Sequence, residues 1–319
     1  MADFTLEGLN TNTPETTASR TTEEKSQQGN ADNTFSAEEI MPSPITSIKG
    51  LSEEEITDPN AIRVTIDDTT TPIVVLFGPP TCGKTMTLVR LTRYLCQHGY
   101  EVRPVETFRP AADTHYQKMC EHFNEMVHSH EAAEGTSNIS FMLVNVTQKG
   151  CPICQILEAP GEGYYLPQAD TGTFPPYVNN IISNSNRKIW LFVVEPNWKD
   201  EADRQGYAAK IKKLQTKIKR QDKAVFLFNK IDQTPFVQSG GHINTSAAIK
   251  SIKDQYKGIF EPFRNENPIT RFFSEYRCEF VPFSTGDYTP KIDGGKVYEQ
   301  GDDIYPHRLW NTILKIRKG

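Results

Sequence analysis

The sequence predicts an α/β protein of three layers, a mostly parallel sheet with helices on both faces, and three observations carry that expectation. The segments 71–77 (TPIVVLF), 189–195 (IWLFVVE) and 224–229 (AVFLFN) are continuous apolar, β-branched or aromatic runs, as expected of strands buried on both faces. Between them lie segments with apolar residues at offsets of three and four, long enough for crossover helices. A glycine-rich loop ending in Lys84-Thr85 joins the first strand to the first helix.

The other elements follow in chain order. Leu88, Leu91 and Leu95 predict a helix over 85–98 that Gly99 closes, and 100–108 reads as a further strand. A long helix is expected from Ala111 to about Ala133, with Tyr116, Met119, Phe123, Met126 and Val127 on one side. Residues 139–148 and 154–158 predict two strands joined by a Lys149-Gly150 turn, and part of 174–185 a helix. A Lys-rich helix is expected over 201–221, a last strand over 277–283, and a final helix over 307–318 with Leu309, Ile313 and Ile316 inward. In such sheets ligands bind at the carboxyl ends of the strands.

The chain has 319 residues, 37% hydrophobic and 24% charged, enough for a sizeable core. Its first sixty residues hold twelve acids against three bases and few aromatics, whereas the remainder carries a small positive excess. Residues 1–58 are therefore expected to be a disordered acidic tail and 59–319 a single globular domain. With no run of eighteen apolar residues and no signal-peptide pattern, the expected location is cytoplasmic. Six cysteines in a chain of this size do not make a disulfide framework, and Cys151-Pro-Ile-Cys154 reads as a turn rather than a zinc or redox site. The histidines 115, 122, 128 and 130 lack metal-ligand spacing.

Gly78-Pro-Pro-Thr-Cys-Gly83-Lys84-Thr85 satisfies G-x-x-x-x-G-K-[ST] after a buried strand and before a helix. Its glycines let successive backbone N–H groups face a phosphate chain, Lys84 would reach the β- and γ-phosphates, and the Thr85 hydroxyl would ligate Mg²⁺. After the 224–229 strand comes Asn229-Lys230-Ile231-Asp232. A carboxylate at Asp232 can accept from guanine N1–H and the 2-amino group together, a donor pair that adenine lacks.

These motifs, in this order over roughly residues 62–318, resemble those of Ras-like P-loop GTPases of the translation-factor-related class. The PGE run at 160–162 and the long segment before it also resemble bacterial double-GTPase domains of conflict systems. The resemblance implies a P-loop NTPase fold, GTP or GDP with Mg²⁺ as ligands, hydrolysis of GTP, and a protein effector; nucleic acid is not expected as a partner. It gives Leu157-Glu158-Ala159-Pro160-Gly161 the place of D-x-x-G, with Glu158 facing Mg²⁺ and the Gly161 N–H facing the γ-phosphate. It gives Ser284-Thr285-Gly286 the place of the S-A-K triplet that contacts guanine O6.

Several positions depart from the pattern. Glu158 is one methylene longer than the usual Asp. Glu162 stands where a water-orienting Gln often sits, and a carboxylate beside a γ-phosphate predicts slow intrinsic hydrolysis. The threonine that would close on Mg²⁺ is Thr136 by order, with Thr107 as its rival. Arg109 reads as a structural surface arginine in preference to an internal arginine finger, and the lysines of 210–223 as a solvated helix face in preference to a nucleic-acid or anionic-membrane patch. Two alternatives to the hydrolysing switch stand beside it: a scaffold without turnover, favoured by Glu158 and Glu162, and a P-loop ATPase or nucleotide kinase, against which Asp232 speaks.

Overall fold

The computed structural model describes residues 51–58, 60–128, 141–159, 174–196, 200–238, 241–290 and 296–318. Strand β1 (Ile73–Phe77) is buried at every position, as is β5 (Lys188–Val194). Continuous apolar runs place these two at the middle of a sheet, where helices cover both faces. Each lies beside the other, with Ile73 opposite Lys188 and Phe77 opposite Phe192.

The full sheet has seven strands in the order β2-β3-β4-β1-β5-β6-β7, the others being β2 (Glu101–Pro104), β3 (Met142–Gln148), β4 (Cys151–Glu158), β6 (Lys223–Phe228) and β7 (Glu279–Pro282). From β4 through β7 all pairings are parallel; β2–β3 and β3–β4 are antiparallel. The β3–β4 turn is Lys149-Gly150 with φ of 51° and 75°, the left-handed pair that matches strand twist in a two-residue hairpin. The described helices are α1 (Glu53–Thr57), α2 (Lys84–Gln97), α3 (Thr114–His128), α4 (Pro176–Ser183), α5 (Glu201–Gln215), α6 (Thr245–Gln255), α7 (Pro268–Phe273) and α8 (Ile304–Lys318). Outside the main sheet, β8 (Asp287–Pro290) and β9 (Lys296–Glu299) form an antiparallel hairpin. Among the described residues no helix is long and apolar enough to cross a membrane.

Three expectations are corrected. Of the expected tail, residues 1–50 lie outside the described residues, but α1 falls inside it. Ser52 caps α1 reciprocally with Glu55, and Glu55 pairs with Arg109 at 2.6 Å, so the folded part begins before residue 59. The Lys-rich helix is shorter than its periodicity suggested. α5 ends at Gln215, Thr216 turns its hydroxyl back to Lys213 O, and Asp222 accepts from the backbone N–H groups of Lys219 and Lys188. Lys217, Lys219 and Arg220 thus stand in turns leading to β6. The strand expected over 100–108 stops at Pro104 and continues as a 3-10 turn, Glu106–Phe108, whose Phe108 is buried.

Candidate nucleotide-binding site

Every motif residue within the described part lies at the carboxyl end of a sheet strand. β1 delivers Gly78, and the loop curls through two left-handed residues, Thr81 (φ 62°) and Gly83 (φ 90°), before α2 begins at Lys84. Alternating backbone handedness of this kind turns N–H groups toward a common point, an anion nest at a helix N-terminus. Tyr207 of α5 supports the strand end from below, its hydroxyl donating to Phe77 O at 2.9 Å. Lys84 is buried, and its Nζ donates to Pro79 O across the loop at 2.9 Å.

Strand register brings the two metal-site candidates together. Glu158 ends β4 opposite Leu76, and its Oε1 accepts from the Thr85 hydroxyl at 3.1 Å. Its Oε2 accepts from Phe141 N at 2.8 Å, and the residue is 2% exposed. Phe141 holds a φ of 63°, a strained value for a bulky side chain, at the entry to β3. Among the described residues no three His, Cys, Asp or Glu side chains gather into a metal cage. One hydroxyl and one carboxylate suit Mg²⁺, which keeps waters and takes its remaining oxygens from phosphates. The residues present therefore fit that ion. Thr136, Gly161 and Glu162 lie outside the described residues.

The 229–232 motif follows β6, which runs beside β5. Asn229 is buried, and its Nδ2 donates to Cys82 O at 2.8 Å, tying this segment to the phosphate loop. A Cβ on Gly83 would come within 2.3 Å of that Nδ2, so the glycine is required by the contact as well as by its φ. Lys230, left-handed at φ 56°, pairs with Glu195 Oε1 at 2.6 Å. Asp232 has its Oδ1 buried with no hydrogen-bond partner among the described residues, and so does Asn229. Unpaired buried acceptors are costly, so both oxygens are open to a ligand's donors.

Ser284 and Thr285 follow β7 and are both buried. The Ser284 hydroxyl accepts from Gly286 N at 3.2 Å, and Thr285 O accepts from the Tyr298 hydroxyl of β9. Gly286 has φ 106°, and a Cβ there would stand 2.3 Å from Glu299 O and 2.8 Å from Gly301 N. Behind this loop Arg90 of α2, fully buried, donates to Gly301 O at 2.7 Å and pairs with Asp303 at 2.6 Å, while Arg93 lies over the Tyr298 ring. The hairpin therefore clamps the 284–286 loop against the helix that follows the phosphate loop. Gly286→Ala is expected to destabilise the protein by about 2 kcal/mol or more, from steric strain at a left-handed position. Thermal denaturation checks this, and an unchanged melting temperature would contradict it.

Sequence reasoning missed Glu195, Arg90 and Tyr298. Glu195 had a signal, since an acid ends the IWLFVVE strand as another ends β4. The Asp293-Gly294-Gly295 turn between short β-prone runs pointed to the hairpin. Arg90 had none. Two other candidates stand apart from the site. Arg109 is buried in ion pairs with Glu55 and Asp113 and donates to Arg63 O, so it is structural. Thr107 donates to Asp67 and is exposed. Cys151 is exposed and Cys154 buried on β4, as an offset of three on a strand dictates, and burial pushes the Cys154 thiol up to about 12. Burial likewise pushes Cys82, inside the phosphate loop, up to about 11, which keeps it an unreactive thiol at neutral pH.

No protein-family model matches the sequence, and no curated protein matches it. Similar solved structures include Toc33 from Arabidopsis thaliana in complex with GDP and Mg²⁺ (14% identity, 79% of this chain and 84% of that one, TM-score 0.39). The signal recognition particle receptor SRb-GTP/SRX complex from Chaetomium thermophilum is similar at 11% identity over 77% of this chain and 98% of that one, TM-score 0.36. The G domain of the T. maritima FeoB iron transporter is similar at 12% identity over 77% and 98%, TM-score 0.34. These are distant likenesses. The loop joining β1 to α2, the strand order and the helices on both faces give this chain a three-layer P-loop NTPase-type α/β fold.

Proposed function

We propose that the protein is a guanine-nucleotide switch that binds GTP with Mg²⁺ and hydrolyses it to GDP and phosphate. The observation that supports this reading is the Asn229–Cys82 hydrogen bond, which ties the segment holding Asp232, the carboxylate proposed to read the base, to the loop proposed to wrap the phosphates. Asp232 reads the guanine N1–H and 2-amino donors, and the backbone of Ser284 and Thr285 faces O6. Lys230 covers the base, held there by Glu195. Gly78 and Gly83 let the loop wrap the phosphates, and Lys84 exchanges its bond to Pro79 O for the β- and γ-phosphate oxygens.

Thr85 and Glu158 hold Mg²⁺, which when bound neutralises charge on the β- and γ-phosphates. Thr136 is proposed to complete that shell, the Gly161 N–H to sense the γ-phosphate, and Glu162 to stand beside the attacking water. Segments near 107–136 and 158–180 would respond to loss of the γ-phosphate and present a changed surface to a protein effector. Glu158→Gln keeps the shape of the site but removes its charge. It is expected to lower GTP hydrolysis about 100-fold and to weaken the Mg²⁺ dependence of nucleotide binding. Phosphate release and nucleotide affinity measured across Mg²⁺ concentrations test this. Equal hydrolysis by the variant would remove Glu158 from the metal site, and no hydrolysis by the wild type would favour the scaffold reading.

A further inference from the structure

We infer that the pole of the sheet opposite the nucleotide site is a docking face for an anionic lipid surface. This pole is formed by the segments entering β5, β6 and β7 at their N-terminal ends, and the inference does not rest on the nucleotide function. A cleft of about 660 Å³ opens there, lined by Arg187, Lys219, Arg220, Gln221 and Lys223, four cations and, among the described residues, no carboxylate. The acid within this stretch, Asp222, is buried and turned inward to the backbone of Lys188 and Lys219. Two of the cations are held by neutral groups instead of acids. Lys219 donates to Ser183 O and Asn184 O, and Arg187 to Ile316 O and Arg317 O. Among the described residues neither cation forms an ion pair, and these bonds fix their positions. Burial, and then Lys219, push the neighbouring Lys188 ammonium down to about 8 against the opposing pull of Asp222.

The last turn of α8 links this cleft to the start of β7, since Arg187 bonds its carbonyls and Lys315 pairs with Glu279 at 2.8 Å. In the loop that enters β7, the bridge between Arg264 and Tyr276 closes an excursion whose tip is α7. α7 buries nothing. Ile269, Phe272 and Phe273 are 71%, 87% and 82% exposed, the large hydrophobics that the described residues leave in solvent. This six-residue helix, projecting three such side chains from the loop that enters β7 at its N-terminal end, is a convex apolar wedge with Glu266 and Glu275 exposed beside it.

The pair of features selects the occupant. Nucleic acid phosphates would match the cations but not Ile269, and an apolar protein groove would take the wedge but leave the cationic cleft unmatched. At a bilayer surface, apolar side chains enter the headgroup–acyl boundary while nearby Lys and Arg meet anionic headgroups. Both features are then satisfied by one partner.

The test is co-sedimentation of the full chain with phosphatidylcholine vesicles, and with vesicles of about one-third phosphatidylserine, since each basic residue near such a surface contributes roughly fivefold in affinity. The chain is expected to bind the anionic vesicles, to leave the neutral ones, and to be released by high salt. Phe272→Ser/Phe273→Ser and Arg220→Glu/Lys223→Glu, four exposed or half-buried positions far from the nucleotide site, are each expected to weaken binding about tenfold or more. Unchanged circular dichroism and nucleotide binding would show that the variants are folded. Absence of binding, equal binding to neutral vesicles, binding insensitive to both variants, or full competition by duplex RNA would overturn the inference.

Discussion

Lys84→Ala is expected to lower affinity for GTP and GDP by about three orders of magnitude. An ammonium about 4 Å from a phosphate charge, at the effective dielectric of a partly buried site, contributes about 4 kcal/mol, and each 1.4 kcal/mol is tenfold. Lys84 is already desolvated, with its Nζ on Pro79 O, so little side-chain ordering opposes the interaction when phosphates arrive. Truncation also leaves Pro79 O without that donor, so a modest loss of stability accompanies the loss of binding. Calorimetric titration with both nucleotides measures the effect. Affinity within threefold of wild type would remove Lys84 from the phosphate site.

Asp232→Asn is expected to act on the base alone. The carboxylate would accept two hydrogen bonds from guanine, and bonds to a charged group contribute about 1.5–3 kcal/mol each. An amide there presents a donor against the 2-amino group, so the loss is expected to reach about a thousandfold for GTP, with ADP and ATP unaffected. The selectivity of the loss is the informative part, because misfolding would impair all nucleotides alike. A variant that keeps its preference for guanine would show that Asp232 does not read the base.

How much of this arrangement was legible in the sequence differs by element, for physical reasons. β1, β5 and β6 were readable because burial on both faces leaves no polar position to blur the pattern. The 78–85 loop and the 229–232 segment stood out because particular residue types recur there at fixed spacing, and the structure places them after β1 and β6. Helix ends were read less well, as α5 shows: the apolar offsets run on to Ile218, yet hydrogen bonds from Thr216 and to Asp222 turn the chain earlier. Helix α6 was missed, although Asn244 caps it by accepting from Ala247 N, a local signal available in the sequence. The clamp on the 284–286 loop was not readable at all, because Arg90 meets Gly301 and Asp303 across more than two hundred residues. An arginine in an amphipathic helix reads as exposed until the fold brings its partners.

Glu158 shows how sequence and geometry combine. By sequence it is an acid at a strand end, longer than the residue the resemblance calls for. In the structure its length is taken up by two hydrogen bonds, one oxygen to the Thr85 hydroxyl and the other to Phe141 N. The same carboxylate therefore joins the phosphate loop to the start of β3, next to the segment proposed to respond to the γ-phosphate. A shorter Asp would have to give up one of the two contacts or draw its partner inward.

The most direct test of the central claim is titration of nucleotide-stripped protein with labelled GDP, GTP and ADP in Mg²⁺, with phosphate release followed in the same samples. Guanine nucleotides binding at least about a hundredfold tighter than ADP, as two lost charge-assisted hydrogen bonds require, together with release of phosphate from GTP, is the predicted result. Equal affinity for ADP would contradict it, because a carboxylate that accepts two donors from guanine, as proposed for Asp232, cannot be indifferent to a base that offers neither.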